Sequence, residues 1–557
     1  MVARLLAGVS ASPGLAAGEA RHVGVLPEVP AGPVAADRRS DELEAARRSL
    51  AMAAEDLERL AERLTKAGRG EDAEIIATGA LMAADPELDA EVARLVLREG
   101  SPAAGALLAA TAQFAGTIAT LPDPLLAERA DDVRSLGRRA ARHALGVVEA
   151  PPAEQGVVVL AESLGPADVA ELGPEVVAVA LSAGGSRAHA AIVARSLGIP
   201  MVVGAGSELL SWPPSAVVVV DGDRGQVRLD PDQAELGAAR DAVRAASAER
   251  TQARSERDLP VETRDGRRLR LFANASSLPE LREAFEQGAE GVGLLRTELL
   301  FLDAPGWPDA AAHLRLLRPL LGRIGDRPAT VRLLDFGGDK TPPFLLGERG
   351  RGIELLLAAP AALRAQLEAL LSLRAPGLRV LLPMVTDASQ VAAVRALLVE
   401  LEAPAGAAAG PTLGAMIEVP LAARRASALA EVCDFFSIGT NDLSQLQLGI
   451  DRARPGEAPA HHPEVLQLIA STVAGAARRG IPVEVCGEAA SDPIALPLLV
   501  GLGVDELSVG ASRVGGVRRA VRRLRFDETQ RLARLAVAAA GPAEVAALVA
   551  QVGDAVG

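Results

Sequence analysis

The C-terminal half of the chain repeats one pattern, an apolar run of strand length followed by a stretch with helical spacing. Eight such runs occur, at 269–275, 291–298, 329–338, 379–386, 412–420, 435–442, 481–488 and 506–512. Strands that alternate with helices pair in parallel, and eight consecutive units are typical of a (β/α)₈ barrel of the TIM type. We therefore predict such a barrel for residues 259–557.

The N-terminal portion combines strand-like and helical segments. Residues 1–20 hold small and apolar residues around Ser-Pro-Gly, and residues 146–231 contain apolar runs such as GVVVLAE and SAVVVVDG. Between them, residues 21–145 place apolar side chains three and four apart, which is the helical period. The pattern predicts an α/β domain with an inserted α-helical subdomain, joined to the barrel by an alanine-rich, charged linker helix at 232–258.

Composition narrows the function classes. The 72 acidic and 58 basic residues are interspersed and give a net charge of −14, which argues against a nucleic-acid partner or a polybasic membrane patch. Two cysteines are too few for a disulfide framework and favour a reducing compartment. No apolar stretch reaches the roughly 18 residues of a membrane span. We predict a cytoplasmic protein without membrane insertion.

Polar side chains gather at the C-terminal ends of the barrel runs, the face where barrel enzymes build active sites. Arg296, Arg332 and Arg452 offer planar guanidinium groups that suit two-point contact with phosphoryl or carboxylate oxygens. Lys340, one of only two lysines, closes a Gly-Gly-Asp-Lys turn. Taken singly, each arginine is more often a surface or salt-bridged residue. Together the four cations predict the binding of an anionic substrate.

Three further barrel runs end on side chains with possible chemical roles. Glu418 in AMIEVP and Asp442 in SIGTNDL are two oxygen ligands of the kind that hold Mg²⁺ together with substrate oxygens. A structural salt bridge is the alternative for both. Cys486 in EVCGEAA has the default interpretation of a buried core residue. A thiol at that end of a strand can also protonate an enolate-like carbon.

His189 is the candidate nucleophile of the N-terminal portion. It follows Gly184-Gly185 at a predicted change from strand to helix, and a helix N-terminus favours an added phosphoryl anion. A histidine ring nitrogen is nucleophilic at neutral pH without prior deprotonation. The alternative is a surface or capping histidine. None of the other five histidines has a comparable Gly-Gly setting.

Six motifs occur in a characteristic order along the chain. They are AGGSRAHAAIVARSLGIP, GVGLLRTELLF, VRLLDFGGDK, GAMIEVP, DFFSIGTNDLSQLQLGIDR and VEVCGEA. In order and spacing this series resembles Enzyme I, the phosphoenolpyruvate–protein phosphotransferase of the sugar phosphotransferase system. The similarity extends over essentially the whole chain, from VSASPGLAAGEA to DELSVGASRVGGVRRAVR.

The resemblance implies a role for each matching residue. It makes His189 the phosphorylated residue and Cys486 the proton donor, with Glu418 and Asp442 as Mg²⁺ ligands. It assigns phosphoenolpyruvate binding to Arg296, Arg332, Asn441, Asp442 and Arg452. It further implies that the helical subdomain docks the phosphocarrier HPr, that the barrel mediates homodimerisation, and that transfer to a histidine of HPr begins sugar uptake.

Two departures from the family pattern keep a rival hypothesis open. The chain has Arg187-Ala188 where the family has Thr-Ser before the active histidine, and GRGIELLL puts Glu354 on a family arginine. These changes suit a catalytically weak, carrier-binding paralogue, although the complete set of barrel residues favours an active transferase. Pyruvate phosphate dikinase and phosphoenolpyruvate synthase share these modules but carry a nucleotide domain, and no Gly-rich ATP loop is found in this sequence.

Overall fold

The computed structural model describes most of the chain. The described residues are 4–24, 29, 32–66, 69–120, 129–147, 156–185, 189–302, 304–337, 341–348, 350–402, 410–450 and 459–556. They fall into two compact units, Met1–Ser247 and Ala248–Gly557. Each unit has its own apolar core.

An eight-stranded mixed sheet forms the centre of the first unit. Its strands are β1 Arg4–Ala7, β2 Val9–Ser12, β3 Leu15–His22, β4 Val157–Ala161, β5 Val176–Leu181, β6 Met201–Val203, β7 Val217–Asp221 and β8 Gln226–Leu229. The order is β1-β8-β7-β3-β4-β5-β6-β2, and β3 to β6 run parallel. The start of the chain therefore completes a sheet whose other strands lie more than 130 residues further on.

Both faces of this sheet are buried. Val157 and Val159 of β4 pack in one apolar cluster, while Val158 and Leu160 pack in another on the opposite face. Such strands read as continuous apolar runs because side chains alternate between two covered faces. The VVVLA sequence of β4 is a direct example.

The helices of this unit lie beside the sheet or in the segment inserted between β3 and β4, except the last, which spans the boundary at Ser247. They are α1 Arg39–Lys66, α2 Gly70–Met82, α3 Pro86–Arg94, α4 Ala103–Ala119, α5 Ala130–Leu145, α6 Pro166–Ala170, α7 His189–Leu197 and α8 Gln233–Ser255. In α1, buried leucines at 43, 50, 57 and 64 alternate with Ala46, Ala53 and Leu60, which gives one apolar stripe along the helix. That stripe builds the core of the helical segment.

The second unit is a closed barrel of eight parallel strands. The strands are β9 Arg270–Ala275, β10 Val292–Leu295, β11 Ala329–Arg332, β12 Leu378–Leu382, β13 Thr412–Ile417, β14 Phe435–Ile438, β15 Val483–Val485 and β16 Glu506–Gly510. β16 pairs with β9 to close the cylinder. All eight predicted runs contain a strand, so the predicted barrel is confirmed, as is the α/β fold class with its inserted helices.

Helices surround the barrel and complete its core. They are α9 Leu278–Glu286, α10 Ala310–Ile324, α11 Ile353–Ala358, α12 Pro360–Ser372, α13 Ala388–Glu402, α14 Pro420–Arg424, α15 Ala426–Leu429, α16 Thr440–Leu448, α17 Pro463–Ala477, α18 Ala495–Leu502, α19 Val514–Arg523, α20 Phe526–Ala538 and α21 Pro542–Val556. Within the described ranges, none of the helices has the length and apolar character that crossing a membrane requires.

Candidate active site

His189 is the first residue of α7 in the N-terminal unit. Its Nδ1 lies 3.0 Å from Oδ2 of Asp132, in the first turn of α5, and the two side chains are 13% and 6% exposed. An ionised carboxylate only accepts hydrogen bonds, so Nδ1 carries the ring proton. The lone pair of Nε2 is then available as a nucleophile.

Asp132 is a site residue that the sequence did not reveal. It lies 57 positions before His189, on a helix of the inserted segment. Its neighbour Asp131 pairs with Arg134 at 2.7 Å, so the two adjacent acids of α5 have different partners. Two acids at the start of a helix are typical of simple dipole compensation, which hides any other role. Sequence patterns relate residues a few positions apart, so they could not connect Asp132 with His189.

Four residues named by the sequence analysis lie outside the described residues. They are Arg187, Ala188, Lys340 and Arg452. Their assignments stay predictions made from the sequence.

Arg332 lies at the C-terminal end of β11 and is almost completely buried. Its guanidinium contacts the carboxylate of Glu298, lies 3.1 Å from Asp335 and approaches the Met416 sulfur at 3.7 Å. Burial works to lower the pKa of Arg332, but the two carboxylates outweigh burial and raise it above its ordinary value. Arg332 is therefore a fixed positive charge in a dry part of the barrel mouth.

Arg351 links two carboxylates at the same end of the barrel. Its Nε lies 3.6 Å from Asp335 and its Nη1 lies 3.2 Å from Asp442. Glu354, one turn further along, is exposed on α11. The GRGIELLL segment thus directs its arginine, and not its glutamate, to the charged cluster formed by Glu298, Arg332, Asp335, Arg351 and Asp442.

Glu418 is fully buried just after β13. The backbone N–H of Met384 donates to its Oε1 at 2.7 Å, while Oε2 finds no donor among the described residues. Burial, followed by repulsion from Asp335 and Asp442, raises the pKa of Glu418 to about 7 against the attraction of Arg332. A cation beside Glu418 would therefore stabilise its ionised carboxylate.

Glu418 and Asp442 fit a divalent cation of the magnesium type. Among the described residues no group of three or more histidine, cysteine, aspartate or glutamate side chains is arranged to hold a metal by itself. Mg²⁺ usually takes one or two carboxylates and completes its shell with substrate oxygens and water. The orphaned Oε2 of Glu418 and the nearby charge of Asp442 supply that minimal set.

Glycines keep the space beside these side chains open. A Cβ added at Gly439 would lie 3.1 Å from Oε2 of Glu418 and 2.8 Å from the Met416 methyl group. A Cβ at Gly487 would lie 2.0 Å from Oγ1 of Thr440. The 2.0 Å distance at Gly487 is too short for a carbon atom, so this close approach of the two loops requires glycine there, whereas a Cβ at Gly439 would displace the Met416 methyl group and press on Glu418.

Cys486 follows β15 and is buried. Its thiol donates to the Ile438 carbonyl at 3.6 Å, and the Asn274 amide holds its backbone carbonyl at 3.0 Å. Burial, assisted by Glu484, raises the pKa of Cys486 to about 12. Burial also raises the pKa of Cys433 to about 12, so position at the strand end, and not acidity, distinguishes the two cysteines.

Arg296 and Asn441 complete the predicted set. Arg296 directly follows β10, is half-buried, and makes no side-chain pair with the described residues. Asn441 accepts a hydrogen bond from the Glu488 backbone N–H at 3.0 Å and so ties the start of α16 to the turn after Cys486. The structure brings these strand ends together at one end of the barrel, as the parallel topology requires.

Comparisons with known proteins define the class. Three family models for PEP-utilising enzymes match in order, the N-terminal model over residues 7–129, the mobile-domain model over 153–225 and the PEP-binding-domain model over 250–526. The chain therefore has the domains of a PEP-utilising enzyme.

Curated relatives narrow this class. Phosphoenolpyruvate-protein phosphotransferase from Lactococcus lactis subsp. lactis is 33% identical over 98% of this chain and 99% of that protein. Multiphosphoryl transfer proteins from Xanthomonas campestris pv. campestris and Rhodobacter capsulatus are each 37% identical over 86% and 83% of this chain. The chain spans 59% and 58% of the lengths of these two proteins. The chain belongs to the phosphoenolpyruvate-protein phosphotransferase family, which confirms the resemblance drawn from the motifs.

Proposed function

We propose that this chain takes the phosphoryl group of phosphoenolpyruvate onto His189, releases pyruvate, and passes the group to a histidine of the carrier HPr. The observation that carries the proposal is the cluster of buried arginines and carboxylates at the barrel mouth, beside a protonated thiol. Phosphoryl transfer requires mainly positioning and charge stabilisation, which such a cluster provides.

His189 acts as the nucleophile in this proposal. With the ring proton held on Nδ1 by Asp132, Nε2 attacks phosphorus in line as the bond to the enol oxygen breaks. The carboxylate also stabilises the positive ring that forms as Nε2 gains its bond. No base has to remove a proton before the attack.

The barrel residues bind the substrate anion. Arg332 is preorganised by its carboxylate partners, and we assign phosphoenolpyruvate binding to it with Arg296, Lys340, Asn441, Asp442 and Arg452. Arg351, held between Asp335 and Asp442, belongs to the same charged surface. Arginine forks suit the planar carboxylate and the phosphoryl oxygens of this substrate.

Glu418 and Asp442 would hold Mg²⁺. A bound Mg²⁺ supplies charge neutralisation of the phosphoryl oxygens during transfer. The orphaned oxygen of Glu418 supports this assignment, since a buried carboxylate without a donor is costly unless a cation meets it.

Cys486 protonates the carbon skeleton that remains. Enolpyruvate becomes pyruvate when its C3 takes a proton, and a thiol with a pKa of about 12 is fully protonated at neutral pH. Burial excludes water from competing with this proton transfer.

The partners follow from the proposed division of the chain. We assign 1–20 and 146–231 to a phosphohistidine domain, 21–145 to carrier docking, 232–258 to a linker and 259–557 to a substrate-binding and dimerisation barrel. Asp132 belongs to the helical segment and meets His189, so a carrier docked on these helices would find the phosphohistidine close by. A cytoplasmic role as the first step of sugar uptake is consistent with two free, buried cysteines.

Intact-mass measurement tests the proposal. Purified protein incubated with Mg²⁺ and phosphoenolpyruvate should gain one acid-labile phosphoryl group, and His189→Ala should gain none. His143→Ala is the matched control, because His143 also pairs with a carboxylate, Asp56, at 2.7 Å. If folded wild-type protein stays unmodified, the chain is a carrier-binding paralogue and the proposal is wrong.

A further inference from the structure

A buried carboxyl group lies behind Cys486 inside the barrel. Glu484 is fully buried on β15, two residues before Cys486, so both side chains point to the same face of the strand. The Ser437 hydroxyl donates to Oε1 of Glu484 at 2.9 Å. Ser437 is the register partner of Glu484 on the neighbouring strand β14, and its hydroxyl works to lower the pKa of Cys486 against the larger effects of burial and Glu484, so it lies close to the thiol. Ser437 therefore connects an acid to the thiol.

Charged groups from three other strands lie near Glu484. Arg379 of β12 lies 3.9 Å from Oε2 of Glu484 but 2.7 Å from Glu506 of β16, which also pairs with Arg270 of β9. Both arginines thus pair with Glu506, while Arg379 lies farther from Glu484. Burial, opposed by Arg379 and reinforced by Glu506, raises the pKa of Glu484 to about 8. Glu484 therefore keeps its proton to a much higher pH than an ordinary glutamate.

Arg270 and Glu506 reach solvent at the other end of the barrel. Arg270 and Glu506 line an open cavity of about 620 Å³ formed by the loops that precede β9, β15 and β16. This is the N-terminal end of the strands, opposite to the end at which Cys486 lies. A proton can therefore come from a side that substrate does not block.

We infer that Glu484 and Ser437 form a proton relay that recharges Cys486 after each turnover. The inference rests on the proposed function, in which the S–H bond of Cys486 breaks as the C3–H bond of pyruvate forms. The Ser437 hydroxyl then turns from Oε1 of Glu484 to the sulfur and gives its proton to the thiolate. The Ser437 oxygen takes the carboxyl proton of Glu484, and the Glu484 carboxylate regains a proton from solvent water. Glu484 and Ser437 touch no substrate and act as positioning residues.

An exchange experiment in D₂O tests the relay. Full-length enzyme is held at equilibrium with phosphoenolpyruvate, ¹³C-labelled pyruvate and Mg²⁺, without carrier. Passage of ¹³C into phosphoenolpyruvate reports phosphoryl transfer in both directions, and deuterium at C3 reports exchange of the Cys486 proton with solvent. Without a relay, Cys486 returns the same proton to the same substrate, so deuterium lags behind ¹³C.

We expect the ratio of deuterium to ¹³C incorporation to fall at least tenfold in Glu484→Gln and in Ser437→Ala. The surface substitution Glu431→Gln, which breaks an exposed pair with Arg479, should leave it unchanged. Measurable ¹³C exchange shows that each variant is folded. A wild-type ratio in both variants overturns the relay. Absence of ¹³C exchange in the wild type would instead overturn the proposed function.

Discussion

The two candidate sites differ in how tightly they are held. Among the described residues, the His189 side chain makes one hydrogen bond, to Asp132, and buried alanines and Val193 anchor α7. The barrel mouth instead fixes Arg332 between Glu298 and Asp335, all of them essentially without exposure. In the proposed function His189 must meet a phosphoryl donor and then a carrier, whereas the charges that stabilise transfer act in one place. Preorganised charges belong on the rigid barrel.

Loss of the Arg332 charge should have the largest effect. Arg332→Met removes the cation that lies between the buried carboxylates of Glu298 and Asp335, and breaking a buried ion pair typically costs about 3–5 kcal/mol. We expect the rate of His189 phosphorylation to fall roughly 10³-fold or more, with an earlier unfolding transition of the barrel in urea. Quench-flow mass spectrometry and urea titration measure the two effects.

A double variant separates charge balance from catalysis. Arg332→Met combined with Glu298→Gln also removes one of the two carboxylates that faced Arg332, so it should recover part of the stability but none of the rate. Recovery of the rate as well would show that Arg332 has only a structural role.

Removal of the carboxylate beside His189 should have a smaller effect. In Asp132→Asn the amide N–H can donate to Nδ1, which moves the ring proton to Nε2 and blocks the nucleophile. We expect phosphorylation to slow on the order of 10²-fold, without a large change in the urea midpoint. Single-turnover mass measurement provides the rate.

Asp131→Asn is the matched control for this change. It removes the neighbouring acid, which pairs with Arg134 instead of His189. Equal slowing in both variants would mean that charge at the start of α5, and not the tautomer of His189, is what matters.

Crowding at Gly439 should perturb the barrel site more gently. In Gly439→Ala the new methyl group meets Oε2 of Glu418 and the Met416 side chain, and overpacking of this kind costs about 1–3 kcal/mol. We expect the Mg²⁺ concentration for half-maximal phosphorylation to rise roughly tenfold, which corresponds to the lower end of this free-energy range. Gly322→Ala, where the added carbon meets nothing within 4 Å, should not change it. An unchanged Mg²⁺ dependence in Gly439→Ala would place the cation away from Glu418.

The same comparison shows what the sequence could predict. All eight barrel strands were found because a strand buried on both faces is a continuous apolar run. The position of polar side chains at the C-terminal ends of these strands was also predictable, since parallel topology places those ends together. The pairing of His189 with Asp132 was not, because it joins segments 57 residues apart.

Glu484 was missed for a different reason. In the run VEV a single acid between apolar residues suggests an exposed face, but in a closed barrel the alternate face is the interior. Its compensating arginine comes from β12, and the nearer partner of that arginine comes from β16. Only the closed strand order reveals this arrangement.

His313 gives the prediction with the smallest expected effect. It separates the stability of the barrel from its chemistry. The side chain is fully buried against Phe301, and neither ring nitrogen has a partner among the described residues. Burial lowers the pKa of His313 to about 4, with Asp309 opposing. Between about pH 6.5 and 4 the unfolded chain binds a proton that the folded barrel does not. The stability is therefore complete above this window and is lost as the pH falls, by roughly 1 kcal/mol per pH unit.

Replacement of the ring should remove that slope. In His313→Leu we expect the urea midpoint of the barrel to depend less on pH between 6.5 and 4.5 than in the wild type, although the variant is less stable at pH 7. Trp307 fluorescence in a Trp212→Phe background reports the barrel alone, because the two tryptophans lie in different units. His143→Gln, in the N-terminal unit, should leave the barrel slope unchanged. A slope that survives in His313→Leu would assign the acid sensitivity to the buried carboxyls, and the barrel charges would then govern stability as well as transfer.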